Sequence, residues 1–143
     1  IGIAVMAWFH KIYPPENKML FNKILENGCG FSENPLKPEK NSNYEFLHRD
    51  KLIAVMSDVV IVVESKSKGG AKYTADYAME KNIPVIKCKT ETDYSDLIEG
   101  HKTFLANGAR EATSPEHVIE LISELKEKKD IKNKKNLDYF IQS

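Results

Sequence analysis

Val59–Thr74, VVIVVESKSKGGAKYT, decides the reading of this chain. Val59–Val63 is an apolar run of strand length, too short for a helix of ordinary size. Two lysine–serine steps and Gly69-Gly70 follow, and helix-like sequence starts near Ala71. A strand, a glycine loop and a helix in that order aim backbone N–H groups and a positive helix end at one point, which suits an anion. Phosphate, of a nucleotide or of a nucleic-acid backbone, is the anion to expect.

Outward from this segment, strands and helices alternate. Ile1–Ala7 reads as a buried strand, and Pro14-Pro15-Glu16 as a helix start with proline and acid in the first turn. Met19, Leu20, Ile24 and Leu25 recur at helical spacing, with Gly28 as a stop. Cys29–Glu33 reads as a short strand and Pro35–Asn43 as an exposed loop. Tyr44–Met56 reads as a helix burying Phe46, Leu47, Leu52, Ile53, Val55 and Met56. Val59–Glu64 is then the central strand and Ala71–Lys81 the next helix. Asn82 marks a turn before a strand at Ile83–Cys88. A helix follows over Ser95–Asn107, ending at Gly108.

Ser114-Pro115-Glu116 is a capped start for the last helix, with Val118, Ile119, Leu121, Ile122 and Leu125 as its apolar face. The sequence predicts one Rossmann-type domain over 1–129, and a flexible lysine-rich tail over 130–143. Such alternation predicts an open, three-layer α/β sheet with mostly parallel strands joined by right-handed crossovers. Ligands of such sheets bind beyond the carboxyl ends of the strands. The loops Trp8–His10, Ser32–Pro35, Glu64–Gly70 and Lys89–Tyr94 are expected there.

Composition narrows the function classes. Of 143 residues, 41% are apolar and 29% charged, and 21 basic side chains balance 21 acidic ones. A nonspecific duplex-coating protein is normally basic overall, so nucleic-acid contact here requires a local patch. Cys29 and Cys88 form neither a disulfide framework nor a CxxC zinc site, so no metal is expected and both read as reduced packing residues. No apolar run reaches membrane-spanning length and no secretory signal is visible, so a cytoplasmic location is expected. The abrupt start inside a strand pattern suggests a preceding segment.

The motif order IAVMA–YPPEN, LFNKILENG, CGFSENP, FLHRDKLIAVMSD–VVIVVES and GGAKYTADYAMEKNIPVIKC resembles the DprA/Smf family of DNA-processing proteins, as does LIEGHKTFLANGA. The likeness runs from about Ile1 to Ile122. It implies a Rossmann-like domain that binds single-stranded DNA and loads a recombinase, with no catalytic residues and no cofactor. The family's basic helix motif falls on Arg49-Asp50-Lys51, its serine–glycine–serine loop on Gly69-Gly70-Ala71, and its threonine–alanine on Thr74-Ala75. Its SE-x-P turn falls on Ser32-Glu33-Asn34-Pro35. Several positions depart from the family. Asp50 and Lys51 replace asparagine and arginine, the hydroxyls beside the loop glycine are gone, and Trp8-Phe9-His10 replaces a glycine-containing loop. The cytokinin-activating LOG group also uses a glycine pair, in the pattern PGG-x-GT-x-x-E, but Gly69-Gly70 lacks its proline, second glycine and glutamate.

The candidate phosphate-binding residues are therefore Arg49, Lys51, Lys66, Ser67, Lys68, Gly69, Gly70 and Thr74. Arg49 could equally be held by Asp50 or Asp58 for structural reasons. Trp8 and Phe9 are candidates for stacking on a base or for plain core packing. His10, Ser32, Glu33 and Glu64 form a candidate polar site, Glu33 and Glu64 as a carboxylate pair at neighbouring strand ends. The leading expectation is a noncatalytic module for single-stranded DNA or a nucleotide, with a recombinase as partner and a homodimer as a further expectation. The alternatives are a LOG-like nucleoside monophosphate hydrolase and a nucleotide-sensing domain of a larger protein.

Overall fold

The computed structural model describes residues 1–9, 12–34 and 44–142, with side chains up to residue 131. The chain forms two compact units, 1–57 and 58–143. In the first, β1 (Ile3–Val5) pairs in parallel with β2 (Cys29–Phe31), and a 3-10 turn at Pro15–Asn17 leads into α1 (Lys18–Asn27). α2 (Tyr44–Val55) closes the unit. In the second, β3 (Val60–Val62), β4 (Val85–Cys88) and β5 (Arg110–Ala112) form a parallel sheet in that order. α3 (Gly70–Glu80), α4 (Ser95–Ala106) and α5 (Pro115–Gln142) alternate with its strands. Parallel strands joined through helices make this a Rossmann-like α/β fold.

Several expectations change in detail. The strands hydrogen-bond in two parallel sheets instead of one continuous ladder, and β4, not β3, is the middle strand of its sheet. β5 is a strand that the sequence did not announce, because Arg-Glu-Ala holds neither an apolar run nor β-branched residues. β1 is shorter and less buried than expected, with Ile3 half in solvent. α2 buries Leu52, Ala54 and the acid Asp50, while Val55 and Met56 stay exposed. The lysine-rich segment beyond Asp130 continues the backbone of α5 to Gln142, as a stretch without glycine or proline allows. The expected loop at 35–43 lies outside the described residues.

Other local signals act as read. Ser114 Oγ accepts the backbone N–H of His117 at 3.2 Å, capping α5. The Glu116 carboxyl is held below its ordinary pKa by its own backbone N–H and then by the Ser114 hydroxyl. Asn82 takes the left-handed conformation at φ 58° and Gly108 lies at φ 99° after α4. Ile86, Ala112 and Leu121 form a core cluster, with Val118, Ile122 and Leu125 packed against it. Ile119, at a neighbouring position, points to solvent instead.

Candidate nucleic-acid interface

In the second unit, the segment after β3 is clamped from two sides. Ser65 is buried and its hydroxyl donates to the Lys66 carbonyl at 3.0 Å. A Cβ on Gly69 would sit 2.7 Å from Ser65 Oγ, and one on Gly100 of α4 would sit 2.2 Å from the Ser65 carbonyl oxygen. Both glycines therefore let backbone approach this loop closely. Gly69 N–H donates to the Lys66 carbonyl at 3.1 Å, and Lys72 N–H donates to the Gly69 carbonyl at 3.0 Å.

α3 then starts at Gly70 with no side-chain cap, so the N–H groups of Gly70 and Ala71 at its start are unclaimed by a side chain. Gly70 itself is exposed, and a Cβ there would meet nothing within 4 Å. Its backbone is not in the left-handed region. Of the two adjacent glycines, Gly69 is thus the one that packing requires, and Gly70 leaves open space at the helix start.

The basic side chains of the loop differ. Lys66 Nζ pairs with Asp96 Oδ2 at 3.1 Å, both largely exposed. Lys68 is exposed and makes no ion pair among the described residues. Ser67 and Thr74 are half-buried, and Glu64 is exposed beside them. Six of the expected phosphate-binding residues, Lys66 to Gly70 and Thr74, thus lie on one strand–loop–helix segment.

Beneath this segment lies a lysine in the middle of a strand. Lys87 of β4 is fully buried, and its ammonium donates to the carbonyls of Val63 at 3.0 Å and Cys88 at 2.6 Å, and to Thr90 Oγ1 at 2.9 Å. A lone lysine inside the apolar run VIKC was the available signal. Burial lowers its pKa from 10.5. The unfolded chain then holds that proton more readily, so the Lys87 contribution to stability rises as pH climbs toward 10.5. Gly100 was also missed, although a glycine inside a helix costs about 1 kcal/mol against alanine and so signals a packing reason.

In the first unit, Trp8 is buried, edge-on to Phe46 at 5.1 Å between ring centroids. Its faces are therefore core surface and not an open stacking platform. Phe9 is half-buried, in the space that a Cβ on Gly30 would invade at 2.9 Å. Arg49 donates from Nη2 and Nε to Asp50 Oδ1, at 2.7 and 3.1 Å, and lies over the Phe46 ring at 5.4 Å. It lines a small cavity with Met6, Ala7, Trp8, Tyr13 and Phe46.

Lys51 is exposed on the same helix. Ser32 Oγ and Asn34 Nδ2 both donate to the Ala7 carbonyl, at 3.3 and 2.6 Å, tying the ends of β1 and β2 together. Glu33 faces His48 at 4.0 Å. Glu33 and Glu64 end strands of different sheets. His10 and Pro35 lie outside the described residues. Asp58, the other candidate partner for Arg49, instead accepts from Lys129 at 2.5 Å.

Residues 2–123 match the family described as DNA recombination-mediator protein A. The chain belongs to this family. It is 32% identical over 140 residues to protein Smf of Synechocystis sp., covering 92% of this chain and 34% of Smf. It is 30% identical over 126 residues to the DNA processing protein DprA of Bacillus subtilis, covering 87% of this chain and 41% of DprA. The chain thus spans between a third and a half of these family members. Among solved structures, DprA from Streptococcus pneumoniae superposes with a TM-score of 0.68 at 29% identity, over 82% of this chain and 41% of that one. DNA processing protein A from Helicobacter pylori, described for its single-stranded DNA binding mode, gives 0.63 at 27% identity, over 79% and 51%. Among the described residues no helix is long and apolar enough to cross a membrane.

Proposed function

We propose that this chain binds single-stranded DNA through its phosphates, as a noncatalytic DNA-processing domain. The observation that carries the reading is the start of α3, uncapped at Gly69, open at Gly70 and flanked by Lys68, which makes no ion pair among the described residues. Uncapped backbone donors, the helix dipole and an exposed positive charge are what a phosphodiester needs. The solved Helicobacter pylori relative, described for binding single-stranded DNA, supports the same ligand class. Lys66, Ser67 and Thr74 belong to this contact surface in our reading, while Arg49 and Lys51 contribute less. A recombinase partner, a homodimer and a cytoplasmic location are the corresponding proposals at the level of the whole protein, and 1–129 is the functional domain.

Binding of a short single-stranded oligonucleotide, its duplex and mononucleotides at two salt concentrations tests this. Single strands are expected to bind best. The log–log salt slope should be shallow, roughly −1 to −3 for about two to four phosphate contacts. A duplex preference, or affinity indifferent to salt, would overturn the reading.

A further inference from the structure

We infer that Tyr94 is the platform on which this site stacks one base of the bound strand, an assignment that rests on the single-stranded DNA reading above. Tyr94 sits in the N-cap position of α4, directly after the loop that leaves β4 at its carboxyl end. Two residues on, Asp96 holds Lys66, and further along the helix Gly100 packs on the Ser65–Lys66 backbone. Tyr94 therefore stands at the start of the helix that packs against the same loop that offers the phosphate contact.

Three observations set it apart from an ordinary surface tyrosine. Tyr94 is 74% exposed, and its ring makes no ring contact among the described residues. It makes no side-chain cap bond, at a position where serine, threonine or aspartate stabilises a helix. Thr92, Asp93 and Ser95, all better caps, surround it in sequence. A local rule broken without structural gain is expected where a residue serves a ligand.

Its backbone, in contrast, is well held. Tyr94 N–H donates to Thr92 Oγ1 at 3.3 Å, and the Tyr94 carbonyl accepts from Leu97 and Ile98 N–H at 3.0 and 3.1 Å. A fixed backbone carrying a free aromatic face suits a base of any identity, since every base has a π-face. Tyr73 is the internal control. It is 58% exposed on α3, but it projects from the side opposite the buried Ala75 and Ala78.

The test uses the full chain with an oligothymidylate and an abasic oligonucleotide of the same length and backbone, at one salt concentration. The wild type should bind the base-bearing strand at least about fivefold tighter, the lower end expected of one stacked base. Tyr94→Leu should cut that ratio below about twofold and leave abasic affinity and the unfolding midpoint unchanged. Tyr94→Phe should restore the ratio, and Tyr73→Leu should not alter it. An unchanged ratio in Tyr94→Leu, or an equal loss in Tyr73→Leu, would overturn the assignment. Equal binding of both oligonucleotides by the wild type would overturn it while leaving the phosphate reading standing. Binding of neither would remove both.

Discussion

Arg49 and Lys68 look alike in a charge count, yet the structure sets them in opposite circumstances. Arg49 is spoken for: Asp50, itself buried, takes two of its N–H groups, and the guanidinium lies on the Phe46 ring. Lys68 stands in solvent on a loop whose backbone is fixed by Ser65, Gly69 and Gly100. A cation already satisfied within the fold gains little from a phosphate, because the exchange must first break an internal pair. Lys68, with no ion pair among the described residues, has no such pair to break. Arg49 therefore helps to hold the first unit together, while Lys68 of the second is offered outward.

The largest effect should come from the support. Gly100→Val places carbon on the Ser65 carbonyl, with no flexible side chain to yield, and should cost about 3 kcal/mol or more by urea denaturation. Gly70→Ala, where the Cβ meets open space, should leave stability within about 0.5 kcal/mol. Similar losses in the two variants would remove the distinction drawn between the clamped and the open glycine.

Arg49→Met comes next and probes the first unit. It strands the buried Asp50 and should lower stability by about 2 kcal/mol, less than a fully buried pair costs, with oligonucleotide affinity of the folded protein changed less than twofold. If affinity collapses while the denaturation midpoint holds, Arg49 is a ligand contact and the contrast between the two cations fails. Lys68→Ala should do the converse. A loss of about fivefold in affinity at low salt, shrinking as salt rises, is expected with unchanged unfolding.

The smallest effect sharpens the contrast within the second unit. Lys66 is half-committed, paired with Asp96 on the surface, where such pairs contribute about 0–1 kcal/mol. Asp96→Asn releases it and should raise affinity about two- to threefold at low salt, read by fluorescence anisotropy. No gain would mean that Lys66 stays outside the contact.

Much of this could be read from the chain because the signals are local. Ser114, Asn82 and Gly108 each act within a few residues, and the structure uses all three as caps or turns. The strand–loop–helix segment was legible for the same reason. The pairing of Arg49 with its neighbour Asp50 was one of two options visible in sequence. The Lys66–Asp96 pair was not, since thirty positions separate the partners. β5 escaped because three residues with one alanine carry no strand pattern. Trp8 could not be assigned between core and ligand, because an aromatic residue after a strand fits either, and only its packing on Phe46 decides. The roles of Gly69 and Gly70 were likewise inseparable until the atoms facing each were known.

Lys87 has one more consequence. Its amine is sealed under the ends of β3 and β4, bound to two carbonyls and a hydroxyl. Other lysines of the chain, such as Lys66 and Lys68, are open to solvent. An amine-reactive reagent will mark those at once and reach Lys87 only when the strand ends part. The moment of its acylation, followed peptide by peptide in a mass spectrometer, is therefore a built-in clock for the opening of the floor beneath the loop.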